Sequence, residues 1–259
     1  TLLRAALVAA LVAAGLVGAI VAGDRLEARA HDTWIRRAGQ ETERITDTCL
    51  FWLTLYQGQL RGVAALFHSS DSVNEDELFD ALDVIEGLEA AIPLEAVAFA
   101  QPTDRGWRIV LSTDFQGLLA VDTMPTHPAL LEALASALDE PDLVVMGAPF
   151  EEEGRQLSLM ALAAPNHGVQ GVVASVIDLT ALLEGLESLL VPEGLHLRLT
   201  VERDGPGGRA AETIWGGPSA SSAVTQFSYA TDSGQVHWEF VWDVLPEHRG
   251  GPDTQLARV

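Results

Sequence analysis

Residues 5–23 read AALVAALVAAGLVGAIVAG, nineteen positions without a charge, and the fold turns on that run and on the helical pattern after it. At a rise of about 1.5 Å per residue it makes a helix of roughly 28 Å, close to the thickness of a bilayer's hydrocarbon core. In lipid such a segment must satisfy its backbone groups internally, and a helix does so. Directly afterwards come Asp24, Arg25, Leu26 and Glu27, and the pattern turns amphipathic with no proline to break it. Ile45, Cys49, Trp52, Tyr56, Leu60, Val63 and Phe67 recur at steps of three and four, one face of a helix. Arg37, Glu41 and Arg44 share another face at ion-pair spacing. The expectation is a transmembrane helix over residues 1–23 that continues as a stalk helix over 24–69. A cleaved signal peptide is the alternative, but the run exceeds a secretory h-region and Ala28-Arg29-Ala30 is a poor cleavage site. Arg4 puts the N-terminal end toward the cytoplasm and the rest outside it, in the periplasm or extracellular space.

Past the stalk, the remaining chain is long enough for one large or two small domains with real cores. A hydrophobic fraction of 48% argues for a folded domain. The formal net charge of -22 repels polyanions, so nucleic acid is excluded as a partner. All the cationic side chains other than histidine are arginines. The single cysteine, Cys49, rules out an intrachain disulfide framework and a cysteine metal cluster. On the stalk face it reads as a small core residue, with a bridge between paired helices as the alternative.

His68 to Ser72 is a break. Asn74 caps a second helix with acids in its first turn and Leu78, Phe79, Leu82, Ile85 and Leu88 inward; Pro93 ends the connection. Val97 to Ala100 and Trp107 to Ser112 read as a hairpin. Pro128 opens a helix to Leu138. Leu143 to Met146, Gln156 to Ala163 and Val169 to Ile177 are strands, with an acidic turn at Glu151 to Gly154 and a loop through Asn166-His167-Gly168. Asp178 caps a helix from Leu179 to Leu190. The class is α+β, an antiparallel sheet with helices on a face. A smaller sheet-rich unit occupies Val191 to Pro246: Leu195 to Val201, a loose turn at Gly205 to Gly208, Ala211 to Trp215, Ala223 to Tyr229 and Val236 to Val244.

No catalytic constellation stands out: there is no nucleophile elbow, P-loop, dinucleotide fingerprint or zincin helix. His237 and Glu239 share a strand face, but two ligands do not make a zinc site. Glu151 to Glu153 lacks the alternating oxygen ligands of a calcium loop. Neither a metal nor a cofactor is expected. Asp122, between apolar stretches and beside Pro125 and Pro128, reads either as an exposed loop acid or as the polar anchor of a pocket. That pocket would lie under the first sheet, walled by Phe99, Leu111, Met146 and Leu159. Gly147, beside Met146, is the further candidate contact, so the ligand-binding set is Asp122, Phe99, Leu111, Met146, Gly147 and Leu159.

The layout and several local motifs resemble the CHASE sensory domain of membrane receptors. The matching pieces are residues 59–67 (QLRGVAALF) with the helix start over 72–79, and residues 96–102 (AVAFAQP). Val121-Asp122, Gly147-Ala148-Pro149-Phe150, residues 171–178 (GVVASVID), residues 238–242 (WEFVW) and Gly250-Gly251-Pro252 complete the match. The chain has Ala120-Val121 where the family has a glycine and an aromatic before the aspartate. The resemblance implies two PAS-like antiparallel-sheet subdomains outside the membrane, here 70–190 (distal) and 191–259 (proximal). It also implies a homodimer joined through the stalk, and a cytoplasmic histidine kinase or nucleotide cyclase as output. In cytokinin receptors of that family the acid matched by Asp122 contacts the ligand. The function expected is therefore an extracytoplasmic small-molecule sensor of the inner, or plasma, membrane. The alternatives are a dCache-type sensor for amino acids or carboxylates, and a membrane-anchored periplasmic enzyme or assembly factor.

Overall fold

The computed structural model describes residues 2–70, 72–87, 94, 96–114, 117–165, 170–205, 208–233 and 236–252. One helix, α1 (Leu2–Ser69), runs unbroken for 68 residues through Asp24. Leu11, Val12, Leu16, Val17 and Ile20 on its first part are all exposed. Among the described residues no helix is long and apolar enough to cross a membrane. The span expected over residues 1–23 draws on Thr1, which lies outside the described residues, and on several side chains before Ala10 that do as well. The C-terminal part of α1 carries the buried stripe. Ile45, Cys49, Leu60, Val63 and Phe67 are buried, and Trp52 and Tyr56 are partly covered. Burial pushes the Cys49 thiol up to about 12, so it stays protonated at neutral pH, and no thiol is presented for a bridge between helices.

Helix α2 (Glu75–Glu86) begins at the expected N-cap Asn74, which forms a capping box with Glu77. The Glu77 N–H donates to Asn74 Oδ1 at 2.9 Å, and the Asn74 N–H donates to Glu77 Oε2 at 3.0 Å. Leu78 and Leu82 face the core; Leu88 and Pro93 lie outside the described residues. The first sheet has strands β1 (Ala96–Thr103), β2 (Gly106–Ser112), β3 (Val145–Met146), β4 (Phe150–Glu152), β5 (Arg155–Ala163) and β6 (Val172–Asp178), with helix α3 (Pro128–Asp139) between β2 and β3. Its order is β2-β1-β6-β5-β3, with β4 also paired to β5, and every pairing is antiparallel. The acidic stretch expected as a turn is partly the short strand β4, which doubles back at Glu153 and Gly154, both at positive φ. The loop at Asn166-His167-Gly168 and the strand start at Val169 lie outside the described residues.

Asp178 caps α4 (Leu179–Leu190) as its position predicts, accepting from the Ala181 N–H at 3.0 Å. The second sheet is β8-β7-β10-β9, built from β7 (Leu195–Gly205), β8 (Gly208–Trp215), β9 (Thr225–Ser233) and β10 (Val236–Val244). A single-turn 3-10 helix (His248–Gly250) comes after β10; Pro206, Gly207 and residues 253–259 lie outside the described residues. The class is α+β as expected, with both sheets strung along one helix.

The second sheet is pinned at one end by a buried carboxylate. Asp243 accepts from the Ala220 N–H at 2.9 Å, from Gln226 Nε2 at 2.7 Å and from Ser219 Oγ at 3.1 Å. Burial alone works against its ionisation. Those donors, together with the nearby Arg198, outweigh it and hold the carboxyl below its usual range. Because the folded value is depressed, the stabilisation is complete above the ordinary aspartate value and is lost as pH falls through the folded one. Asp243→Asn is expected to lower stability at neutral pH and to flatten the fall in melting temperature below about pH 4. Thermal unfolding across acidic buffers checks this, and an unchanged acid limb would remove Asp243 from the account.

Candidate functional site

Partners in an antiparallel ladder point to the same side, so the register assigns each face of the first sheet. Leu111, Phe99, Val173 and Leu162 lie on one side, with Val97, Ser175, Met160 and Met146. That side faces α1, because the Phe67 ring stacks on Phe99 at 4.4 Å and 12°. Leu159 pairs with Val176, and Val176 with Ala96, on the opposite side. The six residues expected to form one pocket are therefore divided. Phe99, Leu111 and Met146 share the α1 side, and Leu159 lies across the sheet from them. Gly147 contacts α3, its N–H donating to the Leu159 carbonyl at 2.7 Å.

Asp122 sits at positive φ on a turn beside β2, where its N–H donates to the Ile109 carbonyl. Its side chain is 69% exposed and pairs with Arg108 at 2.5 Å. The structure thus places the Asp122 side chain on the surface. The apolar neighbours that suggested enclosure face inward without it: Leu119 and Ala120 are buried.

The side of the first sheet opposite α1 carries a cavity of about 450 Å³ at the sheet's end. Ala96, Leu157 and Val176 make its apolar floor, and Gly117 and Leu118 one wall. Asp114, Glu152, Glu153 and Arg155 make a charged rim. Each rim group is positioned by local structure. Asp114 accepts from the Gly117 N–H at 2.6 Å and from the Leu119 N–H at 3.1 Å. Glu152 and Glu153 sit where β4 turns into β5. Arg155 opens β5 and donates to Asp178 Oδ2 at 3.2 Å, tying the rim to the α4 cap. Three carboxylates against one guanidinium give the rim a negative field, which favours a ligand carrying an ammonium group and disfavours one that is only anionic. Sequence reasoning passes over this set because its members come from two places far apart in the chain, the segment after β2 and the β4–β5 turn. The Glu151 to Glu153 run is the one visible signal.

A second, smaller cavity of about 170 Å³ lies where α1, the first sheet and the second sheet meet, lined by Leu53, Gln57, Met146, Trp238 and Phe240 among others. The Trp238 indole N–H is buried without an acceptor. His237 pairs with Asp232 at 2.6 Å, and Glu239 accepts from Ser228. Among the described residues no group of three or more His, Cys, Asp or Glu could hold a metal ion.

No family model matches the chain, and no curated protein does. Solved structures do share its architecture. The ligand-binding domain of the Pseudomonas aeruginosa amino acid chemoreceptor PctC, in complex with GABA, is 18% identical with a TM-score of 0.52, over 81% of this chain and 98% of that one. The ligand-binding domain of the Campylobacter jejuni chemoreceptor Tlp3, in complex with L-norvaline, is 11% identical with a TM-score of 0.52, over 83% and 92%. The P. aeruginosa PctB domain, in complex with L-Arg, is 12% identical with a TM-score of 0.50, over 83% and 87%. At these identities the likeness is one of fold. The fold is that of chemoreceptor ligand-binding domains, which fits the dCache-type alternative better than CHASE.

Proposed function

We propose that the chain is the extracytoplasmic sensory region of a membrane receptor, and that it binds a small amine-bearing molecule in the cavity on the side of the first sheet opposite α1. The observation that carries this reading is that cavity: an apolar floor with a few convergent polar groups, the usual form of a small-molecule site. Glu152 and Glu153 take the ligand's ammonium group and Arg155 its carboxylate, which selects an amino acid over a dicarboxylate. The exposed apolar run at the start of α1 anchors the receptor in the membrane. The four parts are the anchor over 1–23, the stalk over 24–69, and the distal and proximal PAS-like subdomains over 70–190 and 191–259. Two copies pair through α1, where Phe51 stands 58% exposed, and ligand biases their arrangement by binding one state more tightly. A kinase, a cyclase or a chemotaxis signalling module inside the cell is the output.

The test is thermal shift followed by calorimetry with a panel of amino acids, amines, dicarboxylates and adenine derivatives. An amino acid is expected to bind. Arg155→Gln and the Glu152→Gln/Glu153→Gln pair are each expected to weaken it at least about tenfold, near 1.4 kcal/mol. Asp122→Ala is expected to leave binding unchanged. Adenine binding abolished by Asp122→Ala would overturn this assignment in favour of the CHASE-like site, and amino-acid binding indifferent to the rim variants would remove the cavity.

A further inference from the structure

The Glu41 carboxylate, spaced on the stalk to pair with Arg37 and Arg44, pairs instead with the segment after β10. It holds Arg249 through a two-pronged contact and meets His248 Nε2 at 3.3 Å, where His248 is buried. Trp34 completes the clasp, its indole N–H donating to the His248 carbonyl at 2.8 Å. Glu41 is thereby committed to the end of the second sheet. Among the described residues, no carboxylate lies within ion-pair distance of Arg29, Arg37 or Arg44.

These three arginines line one cleft of about 860 Å³ between α1 and the segment around His248. Arg29, Thr33, Arg37, Gln40 and Arg44 succeed one another at steps of four and three, so they form a single stripe. Where an acid at Thr33 or Gln40 would have balanced the arginines, the chain has neutral hydrogen-bonding side chains. Ala30, Trp34 and Gly251, with the mutually paired Glu41, His248 and Arg249, form the rest of the wall. In a chain with net charge -22, three unbalanced guanidinium groups facing one space are a local reversal of the protein's field. Guanidinium forks match the paired oxygens of phosphate and carboxylate groups.

We propose that this cleft binds a phosphate- or carboxylate-bearing anion, held chiefly by Arg37 and Arg44 with Arg29 at its membrane-side end. The assignment is independent of the cavity on the first sheet, which has the opposite charge and lies on another element. Two sources supply such chemistry. Arg29 lies six residues beyond Gly23, about 9 Å of helix, so a lipid phosphate could reach the near end of the stripe; a soluble phosphate or polycarboxylate could enter from solvent.

The experiment uses the full chain in neutral maltoside micelles, titrated with pyrophosphate by calorimetry at low ionic strength. Binding is expected, weakened at least tenfold in the Arg37→Gln/Arg44→Gln variant and unchanged in Arg108→Gln, which removes an exposed arginine elsewhere. Both variants are expected to keep the parent melting temperature, since the altered guanidinium groups face solvent. Absence of pyrophosphate binding by the parent chain, or equal binding by the double variant, overturns the proposal. Adding phosphatidylglycerol to the micelles separates the sources. Displacement of pyrophosphate that depends on Arg37 and Arg44 supports a lipid headgroup. Pyrophosphate binding that phosphatidylglycerol leaves intact supports a soluble anion.

Discussion

Trp242→Ala is expected to destabilise the folded chain by about 3–5 kcal/mol, read as a fall in the denaturant midpoint. Trp242 is the largest fully buried side chain among the described residues. It stands on β10 against the stalk, and its indole N–H donates to Thr46 Oγ1 at 2.9 Å. Thr46 in turn donates to the Thr42 carbonyl at 2.9 Å, and Thr42 Oγ1 lies 3.0 Å from the Tyr229 hydroxyl. Tyr229 donates to the Gly39 carbonyl at 2.9 Å. The second sheet is thus fastened to α1 by apolar contact and by a closed set of polar groups. Those two contributions can be separated. Trp242→Phe keeps most of the volume and removes the donor. Thr46→Val keeps the volume and leaves the indole N–H buried without an acceptor, a cost of about 1–3 kcal/mol. The double variant is expected to lose less than the sum of the two, because neither half of the bond is then left alone. Strict additivity would show that the bond contributes nothing to the docking.

Those threonines also mark how far the sequence can be read. Ile45, Cys49, Leu60 and Phe67 are visible on the stalk because an apolar residue recurring every three or four positions has one economical explanation. Thr42 and Thr46 lie in the same buried surface, yet a threonine on a helix reads as solvated unless its partner is known, and the partner of Thr46 is 196 positions away. Helix starts are legible for the opposite reason. Asn74, Pro128 and Asp178 act on backbone groups within a few residues, so their chemistry is local. The strands are legible as strands, but their two faces are not. Phe99 and Leu159 are equally apolar, and only the ladder register shows that one meets the stalk while the other faces away from it. The residues of the expected pocket are divided between the two sides at that step. The charged rim around Asp114, Glu152 and Arg155 is assembled from turns that the fold brings together, and no spacing in the chain announces it.

The contact between the stalk and the first sheet yields the second large expected effect. Phe67→Ala should cost about 3–5 kcal/mol, since Phe67 is buried and stacked on Phe99. Gly171 makes the same contact testable from the other side. A Cβ built there falls 2.2 Å from Phe99 Cζ and 2.5 Å from Cε2, so alanine cannot be accommodated unless the ring moves. The ring has Phe67 on one face and cannot swing without giving up the stack. Gly171→Ala is therefore expected to cost about 1–3 kcal/mol, the usual penalty for overfilling a packed core. In the Phe67→Ala background the Phe99 ring gains room, and the same substitution should cost markedly less. Denaturant unfolding of the two single variants and the double variant measures the difference directly. A Gly171→Ala variant as stable as the parent would mean that the ring is loosely held. Phe99 would then be a poor candidate for transmitting any rearrangement of the first sheet to α1, since a side chain that yields to one added methyl group cannot push a helix.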